Sequence, residues 1–174
     1  MTLRNTTLVL GGARSGKSAF AERLIAEAAS AQIYLATATA GDDEMRERIA
    51  HHRSRRGDSW RTIEEPLALI ETLTREDHAG SAILVDCLTL WLSNLMHAGR
   101  DVATESRQLA AFLCETKAKI ALVSNEVGLG LVPETELGRA FRDAQGRLNQ
   151  TVAAAVDNVA FIAAGLPLWL KQKS

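Results

Sequence analysis

The run Thr7-Leu8-Val9-Leu10 is short, apolar and rich in β-branched residues, and it stops at Gly11-Gly12. That pattern predicts a buried strand feeding a turn. From Ser18 to about Ala29, Phe20, Leu24 and Ile25 recur at helical spacing among Glu22, Arg23 and Glu27, predicting an amphipathic helix. Gln32 to Ala36 reads as a second strand, and Asp42 to about Arg56 as a strongly charged helix with Met45 and Ile49 on one side. Aliphatic runs at Ser81–Asp86, Lys119–Ser124 and Asn158–Ala163 predict further strands. Between the last two, Leu137, Phe141, Ala144, Leu148, Val152 and Ala155 fall at alternating spacings of three and four, the signature of a long helix that buries this stripe. Residues Gly165 to Leu170 can return as a short strand, which Pro167 restricts to a sheet edge.

Strand and helix patterns alternate, so the expected fold is α/β: a mostly parallel sheet flanked by helices, with a short antiparallel edge at the C-terminus. The 174 residues fit one domain, 1–174, without a linker-like interruption. With 47% hydrophobic and 24% charged residues, the composition is globular rather than disordered. A formal net charge of −1 supplies no basic field for a nucleic-acid backbone, so no nucleic-acid partner is expected. Cys87 and Cys114 have no metal-like spacing and do not form a disulfide framework, which points to a reducing, cytoplasmic setting. No apolar segment has the length of a membrane span, and Gly11 comes too early for a signal peptide.

Chemistry enters with Gly11-Gly12-Ala13-Arg14-Ser15-Gly16-Lys17-Ser18, which satisfies G-x-x-x-x-G-K-[ST] with a strand before it and a helix after it. Glycines let the backbone curl so that successive N–H groups point inward, and the helix N-terminus adds its positive dipole end. Lys17 then reaches the β- and γ-phosphates of ATP or GTP, and Ser18 offers a hydroxyl to Mg²⁺. Asp86 closes the apolar run Ala82-Ile83-Leu84-Val85 and is placed at the sheet's carboxyl edge as the carboxylate ligand of that metal. Aspartate in this position also suits a helix N-cap. With this loop the expected α/β fold becomes a P-loop, RecA-like one, and the loop alone fits small-molecule kinases, ATPases and recombination motors.

The charged helix starts acidic, at Asp42-Asp43-Glu44, and ends basic, at His51-His52-Arg53-Ser54-Arg55-Arg56. This polarity suits the helix dipole. At 100° per residue His52 shares the Met45/Ile49 face, whereas His51 lies near Glu47 and Arg55.

Taken with the glycine loop, three further blocks resemble the bifunctional adenosylcobinamide kinase/adenosylcobinamide-phosphate guanylyltransferase family of cobalamin biosynthesis, nearly end to end. They are Tyr34-Leu35-Ala36-Thr37 with Asp43-Glu44-Met45 and Arg48-Ile49-Ala50-His51-His52, then Trp60-Arg61-Thr62-Ile63-Glu64, then Ser124-Asn125-Glu126-Val127-Gly128-Leu129-Gly130-Leu131-Val132-Pro133-Glu134. Phe141-Arg142-Asp143 and Gly146-Arg147-Leu148-Asn149-Gln150 extend the last block.

The resemblance implies phosphorylation of adenosylcobinamide by ATP or GTP, then transfer of GMP from GTP to adenosylcobinamide phosphate, giving adenosylcobinamide-GDP. It places the guanylylated histidine at His51 and nucleotide contacts at Thr37, Ala38, Thr39, His52, Arg53, Ser54, Arg55, Glu64 and Asp86, besides the glycine loop. It also implies a homotrimer. A neutral imidazole can displace pyrophosphate from the α-phosphate, with Arg53 or Arg55 stabilising the transferring group. A carboxylate such as Glu64 can accept the guanine N1–H and amine donors; a surface acid at a strand end is the plainer reading. Asp42, Asp43, Glu44 and Glu126 are all candidates for the kinase base. Trp91, in Leu88-Thr89-Leu90-Trp91-Leu92, reads as core or subunit contact. No motif marks a corrin pocket.

Overall fold

The structure, a computed structural model, describes residues 6–29, 31–38 and 59–173. The helix expected at Asp42–Arg56, with His51, His52, Arg53, Ser54 and Arg55, lies outside the described residues, as does Thr39. The described chain runs β1 (Thr6–Gly11), α1 (Lys17–Ala28), β2 (Gln32–Ala36), β3 (Trp60–Glu64), α2 (Leu69–Glu76), β4 (Ala82–Asp86), α3 (Leu88–His97) and α4 (Val102–Glu115). It continues through β5 (Lys119–Asn125), α5 (Glu136–Ala155), β6 (Asn158–Ala163) and β7 (Leu166–Lys171).

The seven strands form one sheet in the order β3-β2-β4-β5-β1-β6-β7. Every neighbouring pair is parallel except β6 with β7, which is antiparallel. β1 and β4 are therefore separated by β5, which was inserted later in the chain. Parallel strands are buried on both faces, which accounts for the unbroken apolar runs of β1, β4 and β5.

Side chains alternate between two cores. Leu8, Leu10, Ile33, Leu35, Ile83, Val85, Ile120 and Leu122 face the layer of α2, α3, α4 and α5. Val9, Tyr34, Ala36, Ala82, Leu84, Ala121 and Val123 face α1, which contributes Phe20, Ala21 and Ile25. The parity continues to the strand ends, so Asp86 and Asn125 belong to the α1 face. Phe20 also meets the Trp169 ring edge-on, with centroids 5.9 Å apart.

β7 is the expected antiparallel edge strand, and it extends from Leu166 to Lys171. Three differences from the sequence expectations have physical causes. β3 is half-exposed at the opposite edge, so its sequence, Trp-Arg-Thr-Ile-Glu, lacks the apolar run of the central strands. Leu137 is 66% exposed because it lies in the first turn of α5, before that helix reaches the sheet. Gln145 and Asn149 share the buried face of α5 with Leu148 and Val152, a polar insertion in the apolar stripe. Trp91 is fully buried, and its indole N–H donates to the Leu67 carbonyl at 3.0 Å, which fixes it as core.

Candidate active site

The chain turns sharply after β1 because its glycines leave room. A Cβ on Gly11 would lie 2.5 Å from Ser15 Oγ and 2.6 Å from the Ile162 carbonyl oxygen. The Ser15 N–H returns to the Gly12 carbonyl at 3.3 Å, and Arg14 and Gly16 take positive φ values of 56° and 96°. Gly16 is the N-cap of α1 and offers no side-chain cap, which leaves the first-turn N–H groups to an anion. The tip of the β6–β7 turn stands against the loop. Gly165 donates its N–H to the Ser15 carbonyl at 2.8 Å.

Lys17 folds back into this loop, and its Nζ donates to the Gly12 carbonyl at 3.0 Å. Burial lowers its pKa from the ordinary lysine value, opposed by the nearby Cys87 and Asp86. Among the described residues this half-buried ammonium is hydrogen-bonded to one neutral carbonyl, and an added phosphate would supply further negative charge beside that of Asp86. Ser15 Oγ is buried without a hydrogen-bond partner among the described residues, a second polar atom of the loop open to a ligand.

Asp86 ends β4 on the same face, where the Tyr34 hydroxyl donates to its Oδ2 at 3.1 Å. It is not the N-cap of α3; that position is Cys87, which makes no side-chain cap bond. The Cys87 thiol is pushed up to about 11 by burial and by the Asp86 charge, so it stays protonated at neutral pH. Thr37 locks this strand end. Its hydroxyl donates to the Cys87 carbonyl at 2.7 Å and accepts the Cys87 N–H at 2.9 Å, while its own N–H donates to the Asp86 carbonyl at 3.2 Å. Asn94 ties in the next segment, its amide donating to the Thr37 carbonyl at 2.8 Å and to the Pro66 carbonyl at 3.0 Å.

Between Asp86 and the glycine loop lies the end of β5, where Asn125 pairs with Gly11. The Asn125 N–H donates to Thr89 Oγ1 at 2.8 Å, and its carbonyl accepts from Asn149 Nδ2 at 3.1 Å. The next residue, Glu126, donates its N–H to the Gly11 carbonyl at 3.1 Å, and its carboxylate accepts the Gly128 N–H at 2.6 Å.

The structure thus gathers Gly11 to Ser18, Asp86 and Asn125-Glu126 along the carboxyl edge of the sheet. Thr37 is there too, with its hydroxyl committed to Cys87, and Ala38 follows it, half-exposed. Glu64 is exposed at the end of β3, opposite Ala36, which in turn is opposite Asp86. Two strand spacings put it about 10 Å from Asp86 along that edge. Among the described residues no group of three or more His, Cys, Asp or Glu side chains could hold a metal by itself. Sequence reasoning missed the bracing residues, Thr89, Asn94, Gln145 and Asn149; the one signal, for the last three, was amide side chains within helices that pack on the sheet.

Strand, glycine loop, uncapped helix and a strand-end acid two strands away define a P-loop enzyme that binds nucleotide phosphates. The family model described as cobinamide kinase/cobinamide phosphate guanyltransferase matches residues 7–170, and the chain belongs to that family. It is 53% identical over 166 residues to the bifunctional adenosylcobalamin biosynthesis protein CobP of Pseudomonas aeruginosa, covering 94% of this chain and 96% of that one. It is 40% identical over 179 residues to the bifunctional adenosylcobalamin biosynthesis protein CobU of Escherichia coli, covering 94% and 98% of the two chains. In fold alone it is similar to the flagellar accessory protein FlaH of Methanocaldococcus jannaschii, with a TM-score of 0.54, 12% identity, and 97% and 79% of the two chains covered.

Proposed function

We propose that this bifunctional enzyme of cobalamin biosynthesis uses its single phosphate loop for two successive reactions, with His51 as the covalent carrier in the second. The observation that carries the reading is the Lys17 ammonium, half-buried beside Asp86 and, among the described residues, hydrogen-bonded to the Gly12 carbonyl. In the first reaction the loop holds ATP or GTP. The hydroxyl of adenosylcobinamide attacks the γ-phosphorus, the bond to the bridging oxygen breaks, and the nucleoside diphosphate leaves as Lys17 neutralises its charge. The hydroxyl proton passes to a carboxylate; among the described candidates, Glu126 sits beside Gly11.

In the second reaction a neutral His51 ring nitrogen attacks the α-phosphorus of GTP, forming a P–N bond as pyrophosphate leaves. A phosphate oxygen of adenosylcobinamide phosphate then attacks the same phosphorus. The P–N bond breaks, the imidazole is restored, and adenosylcobinamide-GDP is released. His52, Arg53, Ser54 and Arg55 accompany the nucleotide in this reading, together with Thr39, and Glu64 accepts the guanine donors.

Ser18 and Asp86 supply hard oxygen ligands next to Lys17, a donor set that suits Mg²⁺ shared with phosphate oxygens. When bound, the ion would neutralise charge on the phosphates. The homotrimer belongs to the same proposal. Leu166, Leu168 and Leu170 are 72%, 61% and 59% exposed on the edge strand β7, an apolar edge that proteins generally cover. Among the described residues no helix is long and apolar enough to cross a membrane, and a cytoplasmic site is part of the proposal.

The deciding experiment is incubation with α-labelled GTP followed by denaturation. Label retained on the protein, stable to alkali and labile to acid, is the expected result. No retained label under turnover conditions would leave an ordinary P-loop kinase in its place.

A further inference from the structure

The buried polar cluster beneath the phosphate loop has no part in the reactions as written, yet it is costly to build. Ser124 and Gln145 are fully buried and Asn149 nearly so, on a helix face otherwise made of Leu148 and Val152. Buried amides destabilise a core unless they are hydrogen-bonded, and leucine at either helix position would pack without that requirement. Their bonds converge. Gln145 Nε2 donates to Ser124 Oγ at 2.9 Å and to Asn149 Oδ1 at 3.0 Å, and Ser124 Oγ donates to Asn149 Oδ1 at 2.7 Å. With its oxygen so held, Asn149 turns its Nδ2 to the Asn125 carbonyl at 3.1 Å.

From the other side Thr89 Oγ1 takes the Asn125 N–H at 2.8 Å. Both main-chain polar groups of Asn125 are therefore fixed by side chains from two different helices. What this fixes is the direction of one half-exposed amide. Ser124 faces α5, so strand alternation turns Asn125 to the opposite face, the face of α1, Tyr34 and Asp86. Laterally it lies on the strand between Gly11 and Asp86, level with Gly11 and two residues beyond Val123, the partner of Asp86. Lys17 and Asp86 address the terminal phosphates from either side of that position.

We infer that Asn125 contacts the terminal phosphate of the bound nucleoside triphosphate through its side-chain amide, and that Asn149 is the positioning residue that aims it. A neutral donor is well suited there. It stabilises charge on the γ-phosphoryl oxygens during transfer without adding a cation that would hold the diphosphate product. The inference rests on the glycine loop as the triphosphate site.

The test compares binding of a non-hydrolysable GTP analogue with binding of GDP by calorimetry, in the unaltered protein and in Asn125→Ala, Asn125→Asp and Asn149→Leu, with melting temperatures recorded for each. Asn125→Ala should lose about tenfold of the preference for triphosphate over diphosphate while its GDP affinity is kept, the loss of one charge-assisted hydrogen bond. Asn125→Asp, nearly isosteric and so the variant of choice if alanine unfolds the chain, should lose more because a carboxylate then faces phosphate. Asn149→Leu should shift the same ratio in the same direction, which a merely structural role would not do. An unchanged ratio in Asn125→Asp overturns the inference. Failure of the unaltered protein to bind either nucleotide would instead overturn the glycine-loop reading, and this inference with it.

Discussion

The Gly165 N–H donates to the Ser15 carbonyl at 2.8 Å, and a Cβ built on Gly16 would come within 3.1 Å of the Gly165 Cα. The turn between the last two strands is thus in contact with the phosphate loop, although about 150 residues of sequence separate them. Gly16→Ala would force a side chain into that contact at a φ of 96°. It should cost about 1–3 kcal/mol of stability and weaken nucleotide binding at least tenfold. Gly165→Ala has a φ of 78° but open space around its Cβ, so strain alone should appear, about 1 kcal/mol with little effect on binding. Chemical denaturation and nucleotide titration of the two variants check the contrast.

His51→Ala should abolish GMP transfer and leave substantial phosphorylation of adenosylcobinamide. Removing the attacking atom is expected to cost more than the roughly 10²–10⁴-fold typical of a lost general acid or base. His52→Ala is the matched control and should weaken binding or stability without eliminating the adduct. Separate assays of the two half-reactions decide, and equal loss of both in folded His51→Ala would refute the division of labour.

Nucleotide binding should take up protons at alkaline pH. Burial holds Lys17 below its ordinary 10.5 in the free protein, and bound phosphate favours the charged form and raises its pKa. Between the two pKa values the lysine starts partly neutral and ends charged, so apparent affinity falls as pH rises through the free-protein pKa. Calorimetry in two buffers of different ionisation enthalpy measures the uptake. Lys17→Arg, whose guanidinium stays charged, should show none.

Acid stability should depend on Asp77. Burial acts to raise its pKa, but hydrogen bonds from the Thr116 hydroxyl and the Ala118 and Lys117 N–H groups outweigh it, and the net shift is downward from 3.8. A depressed folded pKa contributes stability that is present above the unfolded value and is lost as pH falls through the folded one. Asp77→Asn should therefore lower the melting temperature at pH 7 by about 2–4 °C, a solvent-screened effect near 1 kcal/mol. The difference from the unaltered protein should narrow as the pH is taken below the folded pKa.

The central strands and α1 were legible because burial on both faces writes continuous apolar runs, and because the glycine loop punctuates β1 and α1 unambiguously. β3 was not, since an edge strand needs no such run. Local chemistry singled out Lys17, Ser18 and Asp86 as candidates, and the structure places them at the carboxyl edge of the sheet. It did not show Asn149 acting on Asn125, a hydrogen bond across 24 residues that depends on how α5 lies on the sheet. Leu137 fits the periodicity of its helix, but whether such a position is buried depends on where the helix first meets the sheet.

Cys87 gives the site a chemical clock. Its thiol is buried and protonated at neutral pH, whereas Cys114 is exposed. A thiol-specific reagent should modify Cys114 at once and reach Cys87 only when the hydrogen bonds that join Thr37 to Cys87 and to Asn94 open. The slow phase of labelling would then measure how often the strand ends part beside the phosphate loop, and a bound triphosphate that draws Lys17 and Asp86 together should lengthen it.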